Sequence, residues 1–151
     1  MYNWKKIKLK FIFYTGQACY ILLNGSTINQ GSRSQIKSPN VSLVKDTELR
    51  FSYIFTGSMP DNRTSLTLAI QETNSPMEVS LLTIINDEMT GSDTWQDISV
   101  CLPKGQYVAV FTGVLATPPD VGIAVTSVNL GSSCTYDGDD WPISKYQTLM
   151  P

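Results

Sequence analysis

The sequence predicts an all-β fold, a β-sandwich or barrel. Two observations carry that expectation: apolar and polar residues alternate over short runs, and turn signals separate those runs at short intervals. A third excludes the rival class, because every window that could show helical periodicity is cut by Gly or Pro.

Taken in order, residues 20–23 are apolar on both parities, as expected of a deeply buried strand. Leu49, Phe51, Tyr53 and Phe55 then share one face, with Arg50 and Ser52 between them. Leu66, Leu68 and Ile70 repeat the alternation around Thr67 and Ala69. Residues 79–85 and 107–111 are again apolar on both parities and read as buried strands. Ile98, Val100 and Leu102 alternate with Asp97, Ser99 and Cys101. In the last strand Ile123 and Val125 hold one parity while Val128 and Leu130 hold the other, so a β-bulge is expected near Thr126-Ser127. Asn24-Gly25, Gln30-Gly31-Ser32, Ser58-Met59-Pro60-Asp61, Asn74-Ser75-Pro76, Thr90-Gly91-Ser92-Asp93, Pro103-Lys104-Gly105 and Thr117-Pro118-Pro119-Asp120 supply the turns.

The chain has 151 residues, which fits one domain. Its 13 acidic and 11 basic side chains give a net charge of -2. With a sequence pI near 4.9 the chain lacks the basic character of a nucleic-acid binder. There is no histidine, which removes imidazole zinc sites and the commonest general base. No run reaches the ~20 apolar residues of a membrane-spanning helix. Lys5, Lys6, Lys8 and Lys10 precede Phe11-Ile12-Phe13-Tyr14, but Thr15-Gly16-Gln17 ends that apolar run too early for a signal peptide. Asn24, Asn40 and Asn62 each begin an Asn-X-Ser/Thr sequon, which points to secretion and candidate N-glycosylation.

Six pieces follow one another in a familiar order. They are Gln35-Ile36-Lys37-Ser38-Pro39, Leu49-Arg50-Phe51-Ser52-Tyr53, the stretch from Trp95 to Leu102-Pro103, Tyr107-Val108-Ala109-Val110-Phe111-Thr112-Gly113, Gly122-Ile123-Ala124-Val125 and Cys134. The series resembles the MAM domain of meprins, neuropilins and adhesive receptor tyrosine phosphatases, over residues 18–134. The resemblance implies an antiparallel jelly-roll-like β-sandwich and an extracellular or cell-surface module for adhesion or assembly. It implies a protein partner, homophilic contact being one form, and no cofactor. It also implies departures. The family's opening segment is missing, which makes this an N-terminally incomplete copy. Glu48 stands where a family cysteine would, leaving Cys134 without its expected partner. Thr126-Ser127 replaces an acidic pair, which puts any metal site there in doubt. Residues 1–17 then form a leader or a substitute edge strand, with Ile7, Leu9, Phe11 and Phe13 inward beside residues 123–130. Residues 135–151 form a tail or linker.

Other candidate sites are weaker. Trp95 reads as a core or edge anchor closing the sandwich rather than a ligand platform. Asp137, Asp139 and Asp140 with Gly138 resemble a calcium loop, but its twelfth position is Thr148, so a solvated acidic tail is expected. Asn86-Asp87-Glu88 reads as a turn with a charged rim. Cys19, Cys101 and Cys134 are an odd set without a Cys-X-X-Cys spacing. Cys101 can pair with Cys134 or Cys19, or stay free, and no histidine is available to activate it. The chain is therefore expected to be non-catalytic, with no metal or cofactor site. A carbohydrate-binding sandwich is the alternative, and it would need an exposed aromatic platform or a calcium-supported groove.

Overall fold

The computed structural model describes residues 2–3, 20–24, 32–56, 61–73, 75–86, 94–115 and 122–138. These form ten strands: β1 (Tyr2–Asn3), β2 (Tyr20–Asn24), β3 (Ser32–Lys37), β4 (Val41–Leu43), β5 (Thr47–Thr56), β6 (Asp61–Glu72), β7 (Glu78–Asn86), β8 (Gln96–Leu102), β9 (Gly105–Leu115) and β10 (Gly122–Ser133). No helix occurs among the described residues. One sheet runs β1-β3-β9-β6-β7, with β4 also paired to β9; the other runs β2-β10-β5-β8. All pairings are antiparallel except the short β1–β3 contact. The expected jelly-roll-like sandwich is what the chain forms.

Alternation sets the inner faces. Leu49, Phe51, Tyr53 and Phe55 of β5 are buried, as are Leu66, Leu68 and Ile70 of β6 and Tyr107, Ala109 and Phe111 of β9. The sheets meet through aromatic rings in edge-to-face contact, Phe51 lying 5.2 Å from Phe111 at 84°, and along β5 itself Tyr53 lies 5.6 Å from Phe55 at 70°. This geometry sets the positive ring edge against the negative ring face and adds to the gain from burial. The Tyr107 hydroxyl does not break the core, because it donates to the Pro103 carbonyl at 2.7 Å. Burial, reinforced by the nearby Asp46 charge, pushes its phenol far above the usual range, so it stays a donor.

Two expectations need correction. Residues 79–85 lie on β7 at the margin of its sheet, and Ile85 is 43% exposed. Apolar residues on both parities here mark an edge strand packed on one face, not a deeply buried one. Asn86 is no exposed turn residue, since it ends β7, fully buried, with Oδ1 lacking a hydrogen-bond partner. Asp87 and Glu88 lie outside the described residues.

β10 changes register between Thr126 and Asn129 where it pairs with β5. Ser127 sits there at φ 56°, a left-handed conformation that costs a non-glycine residue roughly 1–2 kcal/mol. The shift brings Leu130 opposite Leu49, on the core-facing side. The edge expected along residues 123–130 is only half open. Residues 122–126 pair with both β2 and β5, whereas β10 beyond Thr126 pairs with β5 alone among the described residues. Val128 and Leu130 are accordingly 47% and 51% exposed. The proposed substitute strand, with Ile7, Leu9, Phe11 and Phe13, lies outside the described residues; Tyr2–Asn3 joins the other sheet, beside β3.

Replacing Phe51 by Ala should lower unfolding free energy by about 3–5 kcal/mol in a urea titration, since it empties the inter-sheet contact. Replacing the 93%-exposed Val44 by Ala should change it by no more than about 0.5 kcal/mol.

Candidate interaction surface

One end of the sandwich is closed by a clip at Asp46, just before β5. Asp46 Oδ1 accepts from the Lys104 amide at 2.8 Å, and Oδ2 accepts from the Tyr136 amide at 2.9 Å. Its backbone carbonyl accepts from the Cys134 amide at 3.2 Å. A single residue thereby ties the β8–β9 turn and the chain leaving β10 to the start of β5. Gly105 completes that turn at φ 140°, where a side chain would be strained. The Tyr136 and Lys104 amides hold the Asp46 carboxyl below the usual aspartate value.

Beside the clip a disulfide joins Cys101 to Cys134, with Cα atoms 5.9 Å apart. Cys134 thus has a partner, contrary to what the family pattern implies. Glu48, in the position of the family cysteine, is paired with Cys101 across β5 and β8, so the bridge reaches past it to the neighbouring strand. Closing a loop of 33 residues contributes roughly 3–4 kcal/mol in the chain-entropy description. Cys19 lies outside the described residues.

The outer face of the four-stranded sheet carries the polar parity of β5 and β8. Arg50, Ser52, Asp97 and Ser99 meet Ser127 and Asn129 of β10 around a groove of about 370 Å³. Arg50 Nη2 and Nε donate to Glu48 Oε2 at 2.7 and 3.0 Å. That bond, followed by one from Ser99, lowers the Glu48 carboxyl below its usual value. The pair lies across Gly131, where a Cβ would fall 2.9 Å from Arg50 Nε and force it to shift. Ser52 Oγ donates to Asp97 Oδ1 at 2.5 Å, and Asn129 Nδ2 donates to the Ser127 carbonyl at 2.8 Å.

The remaining sequence candidates scatter. Trp95 is 44% exposed at the entrance to edge strand β8, so it is not a core anchor. Tyr53 and Phe55 already fill the adjoining core, and Trp95 shares the outward parity of Asp97 and Ser99. Asn40 is exposed between β3 and β4. Asn24 ends β2 and Asn62 lies on β6, one in each sheet. Asp137 is exposed, while Asp139 and Asp140 lie outside the described residues. The described residues contain no cluster of three metal-ligating side chains, and no helix long and apolar enough to cross a membrane. Asp46 and Asn129 were not singled out in the sequence; the only signal for Asn129 is the parity change next to it.

The depressed Asp46 value has a consequence in acid. A carboxyl whose folded value lies below its unfolded one stabilises the fold above the unfolded value, and that stability drains away as pH falls through the folded one. Thermal melts should therefore show the wild-type advantage over Asp46→Asn intact at neutral pH and shrinking below the ordinary value of 3.8.

Among solved structures, the chain is similar to a family 29 carbohydrate-binding module at 14% identity, covering 90% of this chain and 79% of that one, with a TM-score of 0.49. It is similar also to the cleaved adhesin domain of Lys-gingipain from Porphyromonas gingivalis, at 16% identity over 76% and 74% of the two chains, with a TM-score of 0.48. Nothing about this chain's ligands follows from likenesses this distant. None of the curated proteins matches. The family profile described as MAM domain, meprin/A5/mu, matches residues 5–135, starting upstream of the six pieces that carry the resemblance. With nearly the whole chain matched and a two-sheet antiparallel sandwich beneath it, the chain belongs to the MAM domain family.

Proposed function

We propose that the chain is a non-catalytic extracellular interaction module, serving cell adhesion or protein–protein assembly in a secreted or membrane-associated protein. The family match across residues 5–135 carries this reading. The disulfide supports it, because such bridges persist in oxidising compartments, and so does the exposed sequon at Asn40. The partner is a protein, with homophilic pairing as one form. The contact surface we assign is the second half of β10, where exposed Val128 and Leu130 flank backbone groups able to take another strand. A carbohydrate-binding sandwich is the second reading, favoured by the groove that Arg50, Asp97 and Asn129 line and by exposed Trp95 just ahead of β8.

Cells displaying the chain behind a signal peptide and membrane anchor should add glycan at Asn40, seen as a deglycosidase shift reduced by Asn40→Gln. They should cluster with one another or with cells bearing a second protein. Val128→Asp with Leu130→Asp should abolish clustering without reducing display. Display without clustering in any pairing would contradict the adhesion reading.

A further inference from the structure

We propose that the groove on the outer face of the four-stranded sheet binds an uncharged saccharide. This deepens the second reading above and does not depend on the first. Three side chains carry the argument, each anchored at one end and open at the other. Arg50 is held by Glu48 through Nε and Nη2, leaving Nη1. Asp97 is held by Ser52 through Oδ1, leaving Oδ2. Asn129 is held through Nδ2 by the Ser127 carbonyl, leaving Oδ1. One donor and two acceptors therefore stand fixed at the groove before any ligand arrives, which spares the cost of ordering them on binding.

A sugar hydroxyl both donates and accepts, so a run of hydroxyls satisfies such a mixed set. Charge narrows the class further. Glu48 is neutralised by Arg50, the Asp97 carboxylate repels anions, and the Arg50 guanidinium repels cations. The groove's size lies within the range of small-molecule sites, roughly 300–1,000 Å³, and its lining mixes these polar groups with Phe51 and Ile98, which suits a ligand that carries both hydroxyls and C–H faces. Trp95 adds an aromatic element outside the groove's own lining. It lies just ahead of β8, two residues before Asp97 in the chain, and is 44% exposed, so part of the indole can meet the C–H face of a pyranose. An exposed Trp alone is ordinary; one that ends a row of pre-set hydrogen-bonding groups has a ligand geometry.

The rival hollow beside Asp46, lined also by Glu72, Lys104 and Tyr136, is of comparable size. There both Asp46 carboxylate oxygens are already engaged by backbone amides, so the clip consumes the polar capacity a ligand would need.

The test is calorimetric titration of the full chain with soluble neutral oligosaccharides of glucose, mannose, galactose and N-acetylglucosamine, with a sulfated heparin oligosaccharide as the anionic control. At least one neutral probe should bind at millimolar concentration or below, and the sulfated one should not. Trp95→Ala and Asp97→Ala should each weaken binding by about tenfold or more, a loss of ~1.4 kcal/mol, with unchanged melting temperature. Val128→Asp with Leu130→Asp should leave sugar binding intact, separating this site from the adhesion surface. Silence with every neutral probe, preference for the sulfated one, or binding indifferent to Trp95 and Asp97 overturns the proposal.

Discussion

The fold depends on one constraint: the aromatic row of β5 must be buried against β9 and β6. Phe51 against Phe111 is the point where the two sheets touch, and Leu49, Tyr53 and Phe55 extend that contact along the strand. A strand shows its side chains to alternate faces, so committing one parity of β5 to the core commits Arg50 and Ser52 to the outside. The chemistry of the outer face is thus a by-product of packing the inner one. Its neighbours obey the same rule, which is why Ser99 stands opposite Arg50 and Asp97 opposite Ser52.

The bulge in β10 reconciles the core with that surface. In an unbroken strand, Leu130 would share the outward parity of Ala124 and Thr126, and Asn129 would point to the core. One shift of register sends Leu130 to the Leu49 side and brings Asn129 beside Arg50. The left-handed Ser127 is the cost of this exchange. The bulge also falls where pairing with β2 stops among the described residues, at the junction of the groove and the exposed apolar half-edge. Asp46 and the Cys101–Cys134 bridge then hold the far end of β10 against β5. The strand bends without being released.

Much of this was legible in the alternation of residues. The inner faces of β5, β6 and β9 follow from parity, and the parity switch locates the bulge to within a residue or two. What the chain order hides is convergence. Arg50, Asp97 and Asn129 lie on three strands far apart in sequence, and only the pairing of β5 with β8 and β10 assembles them. Asp46 looks like any turn aspartate until two distant amides arrive at its carboxylate. The size of an indole argues for burial, but Trp95 stands 44% exposed ahead of edge strand β8, so of a core or an edge anchor only the edge place is left to it. Residues 79–85 misled for a related reason: apolar composition does not reveal whether a strand lies at the centre or the margin of a sheet.

Peptide-resolved hydrogen exchange of the oxidised full chain tests the central claim, that a rigid aromatic core carries a β10 whose two halves differ. Amides of β5, β9 and residues 122–126 should exchange slowest, near the rate set by global unfolding. Residues 127–133, paired with β5 alone among the described residues, should exchange clearly faster. Equal and strong protection along the whole of β10 would show its second half to be covered, and rapid exchange in β5 would show that the aromatic row does not hold the sheets together.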